Sequence, residues 1–121
     1  MPEQIVQRKM LGLFSVDSGQ CIIVDPCYLS AWKNNKFWGK DEKRTGEFSY
    51  DGACRETCYN ENHGGELGTG SGGEDAVVSQ AGYGDGIYPV YADYNAEGIV
   101  VRLVIDFSDC EPESRVCPDE E

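Results

Sequence analysis

The stretch AGYGDGIYPVYADYNAEGIVVRLVIDF, residues 81–107, decides the fold of this chain. Residues 87–94 are rich in aromatic and β-branched side chains, which pack well on the pleated surface of a strand. From Ile99 to Phe107 every second residue is apolar, so one face of a second strand is predicted to lie on a core. Residues 95–98, NAEG, predict a turn between these strands, because glycine adopts a positive φ at little cost. The pattern therefore predicts a β-hairpin.

The first half of this hairpin carries two further signals. Pro89 cannot donate a hydrogen bond to a neighbouring strand, so its strand is expected at a sheet edge or with a bulge there. Gly82, Gly84 and Gly86 could cradle a phosphate with their backbone amides. That interpretation is disfavoured, because no helix pattern follows the glycines and Asp85 would repel an anion. The favoured interpretation is a bulge or tight turn at the entry to the hairpin.

The remaining chain predicts short strands and helices. Asp25 followed by Pro26 favours a helix over residues 26–33 with Asp25 as its N-cap, and Asp51 is the predicted N-cap of a second helix over residues 51–59. The other predicted elements are a hairpin of Leu11–Val16 and Cys21–Val24, a short strand at 48–50, a glycine-rich loop at 64–73 and a strand at 76–80.

Together these elements predict the fold class and the domain organisation. The fold class is α+β, mainly β: a compact single domain of about five or six antiparallel strands with two short helices. A length of 121 residues fits one domain with a modest core. Residues 1–107 are predicted to form that domain, and residues 108–121, SDCEPESRVCPDEE, to form an acidic C-terminal tail.

The charge of the chain is strongly negative and unevenly distributed. The net charge is −12, and residues 51–121 hold three Lys and Arg against sixteen Asp and Glu. Direct nucleic-acid binding is disfavoured, because proteins that bind a phosphate backbone neutralise it with clustered Lys and Arg. Two interpretations stay open: a solvated, self-repelling surface, which is favoured, and a DNA mimic that occupies a basic partner protein.

The location of the protein follows from what the sequence lacks. No run of about 20 apolar residues is present, and the N-terminus MPEQIVQRKM has no apolar core of a secretory signal. We therefore expect a cytoplasmic protein that does not associate with membranes. Reduced thiols are the default expectation in that compartment.

Six cysteines raise the question of disulfides and metals. Cys54 and Cys58 are four residues apart on the predicted helix and are expected to face the core as two buried thiols. Cys110 and Cys117, in the tail, could bridge each other under oxidation. The alternative for the helix pair is zinc, with Cys54, Cys58 and His63 as three ligands, but no fourth ligand follows nearby. Packed thiols are favoured, and no cofactor is favoured.

A nucleophilic cysteine is the main catalytic alternative. Cys27 would lie in the first turn of the helix after Asp25, where the helix dipole lowers the pKa of a thiol. His63, the only histidine, could act as its base, with Asp25 or Asp85 as an orienting carboxylate. The favoured interpretation is a half-buried cysteine in a short amphipathic helix, because no spacing in the sequence brings these groups together.

Two parts of the chain resemble a known family. The C-terminal part consists of GYGDG at 82–86, YPVY at 88–91 and Asp106-Phe107; the N-terminal part consists of VDSG at 16–19 and DPCYL at 25–29. These motifs resemble a family of small bacterial and phage proteins of unknown function, with Val24 at a position where that family has glycine. The resemblance implies a compact β-rich domain and a phage origin. It implies no activity and no catalytic residue.

The sequence thus favours a small non-enzymatic binding or accessory protein, phage-encoded if the resemblance holds. Its predicted contact surface is formed by residues of the two family-like motifs: Asp25, Cys27, Tyr83, Asp85 and Tyr88. The alternatives are a small hydrolase-like enzyme using Cys27 or a carboxylate, and an acidic decoy for a basic partner protein. The partner, whether a protein or a small molecule, and the oligomeric state are left open by the sequence.

Overall fold

The computed structural model describes residues 4–35, 45–68 and 75–108 of the chain. The chain divides into two compact units, the first formed by residues 1–19 and 81–121 and the second by residues 20–80. Beyond Ser108 the predicted acidic tail, with Cys110 and Cys117, lies outside the described residues. The domain boundary predicted at residue 107 stays a prediction.

In chain order the described elements are β1 (Gln7–Val16), β2 (Gln20–Val24), a 3-10 helix (Pro26–Ala31), α1 (Tyr50–Tyr59), β3 (Gly64–Leu67), β4 (Ala76–Gln80), β5 (Gly86–Tyr94) and β6 (Val100–Ile105). The strands form two antiparallel three-stranded sheets, β1-β5-β6 and β2-β4-β3. The predicted fold class, mainly β with about six antiparallel strands and two short helices, is confirmed. Among these described elements no helix is long and apolar enough to cross a membrane.

The β5–β6 hairpin of the first unit is confirmed, and its turn is organised by Asn95. The Asn95 carboxamide oxygen accepts hydrogen bonds from the backbone N–H groups of Glu97 and Ile99 at 2.9 and 3.0 Å. Gly98 closes the turn with a φ of 81° and donates to the Asn95 carbonyl at 3.0 Å. An Asn side chain that replaces backbone partners in this way favours a tight turn over continued strand pairing.

Pro89 lies in the central strand of its sheet, so the predicted edge position is wrong. The Pro89 carbonyl accepts a hydrogen bond from the backbone N–H of Asp106 at 3.4 Å, and Asp106 is the first residue after β6. Because the nitrogen and the carbonyl of a strand residue point to the same side, the nitrogen of Pro89, which carries no hydrogen, also faces Asp106. The missing hydrogen bond therefore falls at the end of the β5–β6 pairing, which begins at Val90 and Ile105, and the rest of the pairing is kept. The described register shifts of its strand pairs lie between Met10 and Gly12 on β1 and between Asp93 and Tyr94 on β5, and neither is at Pro89.

The alternating glycines form the predicted tight turn into β5. Gly82 and Gly84 have φ of 52° and 98°, a region that side-chain-bearing residues adopt only with strain. The Gly84 N–H donates to the Ala81 carbonyl at 2.8 Å, and the Gly84 carbonyl accepts from the Tyr88 hydroxyl at 2.8 Å. A Cβ at Gly82 would approach the Cβ of Phe107 to 2.9 Å, so the turn also packs closely on the end of the hairpin.

The core of the first unit lies at one end of its sheet. Tyr88 is fully buried and stacks edge-on against Phe107, with ring centroids 5.2 Å apart. The rest of this cluster consists of Val16, Ala81 and the partly buried Phe14. The apolar face of the strand from Ile99 to Phe107 was predicted to lie on the core. It is buried only towards Phe107, because the side chains of Leu103 and Ile99 remain 56% and 53% exposed.

The sheet of the second unit corrects two predictions. Leu11–Val16 and Cys21–Val24 do not form a hairpin, because β1 pairs with β5 whereas β2 pairs with β4. The predicted loop at 64–73 begins with a strand, β3, which pairs with β4. Gly64 is needed in that strand, because a Cβ there would overlap the backbone carbonyl of Val78.

Helix α1 begins one residue earlier than predicted and has a different cap. Ser49, not Asp51, is the N-cap: its hydroxyl accepts from the Gly52 N–H at 2.9 Å. Asp51 instead lies in the first turn, 1% exposed, and pairs with the 2%-exposed Arg55 at 3.3 Å. The predicted strand at 48–50 is reduced to an isolated bridge between Ser49 and Lys33.

The second unit buries one face of its sheet beneath α1. Its core cluster contains Phe48, Ala53, Leu67, Ala76 and Val78, with Ile22, Val24 and Trp32 partly buried around it. The strand residues of this cluster alternate with residues that point the other way, as the period of a strand requires. The opposite face of the same sheet is therefore the one left to solvent.

Candidate functional site

The solvent face of the β2-β4-β3 sheet presents one apolar pair beside acidic residues. Ile23 and Val77 are directly opposite each other, and Glu66 is opposite Val77 on the other side. Ile23 is 56% exposed and Val77 48% exposed, and Glu66 is exposed as well. Residues two positions along a strand share a face, so Asp25 follows Ile23 and Asp75 precedes Val77 on this same face. Glu66 lies within β3, whereas Asp25 immediately follows β2 and Asp75 immediately precedes β4.

These residues line a cleft of about 350 Å³ at the end of the sheet. Its lining consists of Ile23, Val24, Asp25, Glu66, Asp75, Ala76 and Val77. Among the described residues of that lining the charged groups are all carboxylates, which attract cations and repel anions. We refer to Ile23, Asp25, Glu66, Asp75 and Val77 below as the acidic cleft.

Asp25 is held in place by the start of the 3-10 helix. It is the N-cap, as predicted, and its carboxylate accepts from the Cys27 backbone N–H at 3.0 Å, with Pro26 at the first helical position. This hydrogen bond lowers the pKa of the Asp25 carboxyl below its ordinary value. The side chain is exposed and ionised at neutral pH, so it can present a fixed negative charge to a ligand.

Cys27 is exposed beside Asp25, but it is not an activated nucleophile. The hydrogen bond with the Asp25 carboxylate raises the pKa of the Cys27 thiol, with further contributions from burial and from the negative charge of Asp25. The predicted lowering by the helix dipole is therefore wrong, because the nearby carboxylate opposes the thiolate and a single short 3-10 helix provides little dipole.

His63 lies at the far end of the same sheet from Cys27. Its carbonyl accepts from the Gln80 N–H at 2.9 Å, whereas the acidic cleft lies beyond Ala76, at the other end of β4. Five residues along a strand span about 16 Å, far more than a hydrogen bond. The structure therefore gives no geometric basis for His63 as a base acting on Cys27.

The weak zinc candidates are also not assembled. Cys54 is buried and its sulfur accepts from the Gln20 carboxamide at 3.6 Å, but Cys58 and His63 are exposed. Within residues 4–35, 45–68 and 75–108, no group of three or more His, Cys, Asp or Glu side chains could hold a metal ion. The prediction of two buried thiols is right for Cys54 and wrong for Cys58.

The remaining predicted contact residues belong to the first unit. Tyr83 is 54% exposed and Asp85 is exposed, so both can meet a partner. Tyr88 cannot, because it is a fully buried core residue whose hydroxyl donates to Gly84. The convergence of Asp25 and Asp85 on one site joins residues of two units and stays a prediction.

Sequence reasoning found one of the three acids of the cleft and missed the other two. Asp25 was found through its N-cap signal, but Glu66 and Asp75 fall in or beside the glycine-rich stretch that was predicted to be a loop. The available signal was the alternation from Asp75 to Ser79, which places Asp75 and Val77 on one strand face.

Comparison with known proteins places the chain in a family but supplies no activity. No curated protein and no solved structure matches it. The model of the family described as "Protein of unknown function (DUF4241)" matches residues 5–105, a span that contains both sheets and the acidic cleft. Over that span the chain belongs to the DUF4241 family of proteins of unknown function.

Proposed function

We propose that the protein is a small non-enzymatic binding module whose acidic cleft takes a ligand with both positive charge and apolar groups. A basic, partly apolar segment of a partner protein has this chemistry. The observation that carries the proposal is the pair Ile23 and Val77, about half exposed on an ordered sheet face and bordered by three carboxylates. An exposed apolar pair gains free energy when a ligand covers it, and the carboxylates select a cationic one.

The expected free energies of the apolar contact and of the ion pairs support a ligand that has both apolar groups and positive charge. Covering half of an Ile or Val side chain contributes about 1 kcal/mol. Each exposed ion pair contributes about 0.5 kcal/mol. Covering both side chains therefore contributes about 2 kcal/mol, and the three carboxylates together supply about 1.5 kcal/mol of preference for a cation. Lysine alone or an uncharged apolar ligand should each bind more weakly than a ligand that combines them.

The enzymatic alternative has less support. Cys27 is held as a thiol by Asp25, and His63 lies at the other end of the sheet. A nucleophile needs either a lowered pKa or an adjacent base, and Cys27 has neither in this arrangement. The acidic decoy is a special case of the proposed module, in which the ligand is the basic surface of a nucleic-acid-binding protein.

The biological setting of this proposal rests on the sequence. The likeness of residues 82–91 and 16–29 to small bacterial and phage proteins supports a phage-encoded accessory protein that acts in the host cytoplasm. Its ligand would then be a host or phage protein with a basic segment, because the net charge of −12 favours basic partners over nucleic acid.

The test measures the affinity of the full chain for a dye-labelled short peptide that alternates lysine and leucine. The triple variant D25N/E66Q/D75N should weaken binding about tenfold, because it removes the three carboxylates that border the apolar pair, at about 0.5 kcal/mol each. The matched control D17N/D85N/E97Q changes the net charge by the same amount on exposed acids of the first unit, and should change the affinity less than about twofold. Equal weakening by both triple variants would mean that net charge, not the cleft, attracts the peptide. That result would overturn the proposal.

A further inference from the structure

The sheet of the first unit carries a row of three charged residues across its strands. Arg8 on β1 is directly opposite Asp93 on β5, and Asp93 is directly opposite Arg102 on β6. Directly opposite residues of an antiparallel sheet point to the same face. The two arginines therefore lean over the central strand from both sides and meet above Asp93.

The buried carboxylate of Asp93 fixes both guanidinium groups. Arg8 donates from Nε to Oδ1 at 2.6 Å and from Nη2 to Oδ2 at 2.9 Å, and Arg102 donates from Nε to the same Oδ2 at 2.9 Å. Because both cations reach one oxygen atom, Nη2 of Arg8 and Nε of Arg102 lie within about 6 Å of each other. Asp93 itself is 0% exposed, so the anchor is out of reach of solvent.

The arginines keep unused donors on the outer side. A guanidinium carries five N–H groups in a planar fork, and these hydrogen bonds use two from Arg8 and one from Arg102. Their side chains are 48% and 56% exposed, and the Arg8 guanidinium also lies over the Tyr91 ring, 5.8 Å from its centroid. Tyr91 and, more weakly, Asp106 also act on Arg8, and the Asp106 carboxylate accepts from the Ser108 hydroxyl at 2.6 Å.

Charge and shape both suit an oxyanion at this position. Two guanidinium charges stand against one buried carboxylate, which leaves the row with a net positive charge in a chain that is otherwise acidic. Guanidinium forks match the oxygen spacing of carboxylate and phosphate groups. The anchoring by Asp93 removes much of the side-chain freedom that an exposed arginine would otherwise lose on binding.

We infer that Arg8 and Arg102, held side by side by Asp93, form a binding site for the oxyanion group of a ligand, a phosphate or a carboxylate. This site lies in the first unit and is independent of the acidic cleft. It takes ligands of the opposite charge, so the two sites recognise different groups.

The experiment follows the arginine Nε–H NMR signals of the full chain during titration with inorganic phosphate and, separately, with acetate. The signals of Arg8 and Arg102 should shift and saturate, whereas that of the 2%-exposed Arg55 should stay in place and serves as the internal reference. The stronger of the two titrations identifies the preferred oxyanion. Sodium chloride at matched ionic strength controls for screening.

Two variants separate recognition by the fork from simple charge attraction. R102K keeps the positive charge but removes the planar guanidinium group, so the affinity for the preferred anion should fall about tenfold. K9Q removes a charge from the adjacent residue of β1, which points to the opposite face, and should change the affinity less than about twofold. A shift of the arginine signals that sodium chloride reproduces, or an R102K variant that binds as well as the wild type, would overturn the inference.

Discussion

The carboxylate of Asp25 accepts a hydrogen bond from the backbone N–H of Cys27 at 3.0 Å, which places this carboxylate beside the Cys27 thiol. This hydrogen bond lowers the pKa of Asp25, and a hydrogen bond between the Asp25 carboxylate and the Cys27 thiol raises the pKa of that thiol. The result is a negative charge at the rim of the acidic cleft and, beside it, an exposed thiol whose pKa is raised. A raised pKa makes the Cys27 thiol a weaker nucleophile candidate near neutral pH.

The first prediction concerns the reactivity of Cys27. D25N removes the negative charge that disfavours the thiolate, so the pKa of Cys27 should fall and its alkylation by iodoacetamide near neutral pH should become faster. Peptide mapping by mass spectrometry gives the rate for each cysteine, and Cys58, also exposed, is the control whose rate should not change. An unchanged or slower rate at Cys27 would show that Asp25 does not control the thiol.

The second prediction concerns stability in acid. The hydrogen bond from Arg8, together with that from Arg102, lowers the pKa of Asp93 to about 2. A carboxyl whose pKa is lower in the folded state stabilises the fold above its unfolded pKa, and that contribution is lost as the pH falls towards the folded value. The melting temperature of D93N should therefore lie below that of the wild type near pH 7, and the gap should narrow between about pH 5 and pH 2.

The control for that series is D85N, which removes one exposed carboxylate from the same unit. Its melting temperature should follow that of the wild type throughout the pH range, because an exposed surface charge contributes little. A gap between D93N and the wild type that stays constant from neutral to acidic pH would contradict the role assigned to the Asp93 carboxylate.

The third prediction concerns the buried ion pair of α1. Asp51 and Arg55 are 1% and 2% exposed and 3.3 Å apart, so removal of one partner leaves the other charge buried. D51A should lower the free energy of unfolding by about 3–5 kcal/mol, and the double variant D51A/R55A should cost less than the sum of the two single variants. Urea unfolding of the four proteins measures this coupling. Strict additivity would mean that the two side chains do not act as a pair.

The fourth prediction compares two glycines with positive φ. Gly82 and Gly98 have φ of 52° and 81°, so an alanine at either costs about 1–2 kcal/mol in backbone strain. At Gly98 the new Cβ meets nothing within 4 Å, whereas at Gly82 it meets Phe107 at 2.9 Å. Urea unfolding should show G82A to be less stable than G98A by about 1 kcal/mol or more. Equal stabilities would show that the turn does not pack tightly on Phe107.

The sequence predicted the local part of this fold well. The β5–β6 hairpin, the Asn95–Gly98 turn and the Asp25 cap all depend on residues that are neighbours in the sequence. Turn-forming and capping residues can be recognised over such short spans. The glycines before β5 were also identified as a turn. In each case the residue acts on partners within a few positions of itself.

The non-local part was predicted poorly, for a physical reason. Strand periodicity shows that β1 is a strand but not which strand it joins, and its contact from Arg8 to Asp93 spans 85 residues. The same limit hid the acidic cleft, because Glu66 and Asp75 meet Asp25 only through the pairing of three strands. The burial of Asp51 and Tyr88 likewise depends on tertiary packing, which overrides the structural preferences of the individual residues.

The most direct test of the central claim is to map where the lysine–leucine peptide binds on the full chain by backbone amide NMR shifts. We expect the largest shifts at Ile23, Glu66 and Val77, together with the loss of those shifts in D25N/E66Q/D75N and their retention in D17N/D85N/E97Q. Shifts centred on Tyr83 and Asp85, or spread evenly over the exposed acids of both units, would contradict the assignment of the acidic cleft as the binding site.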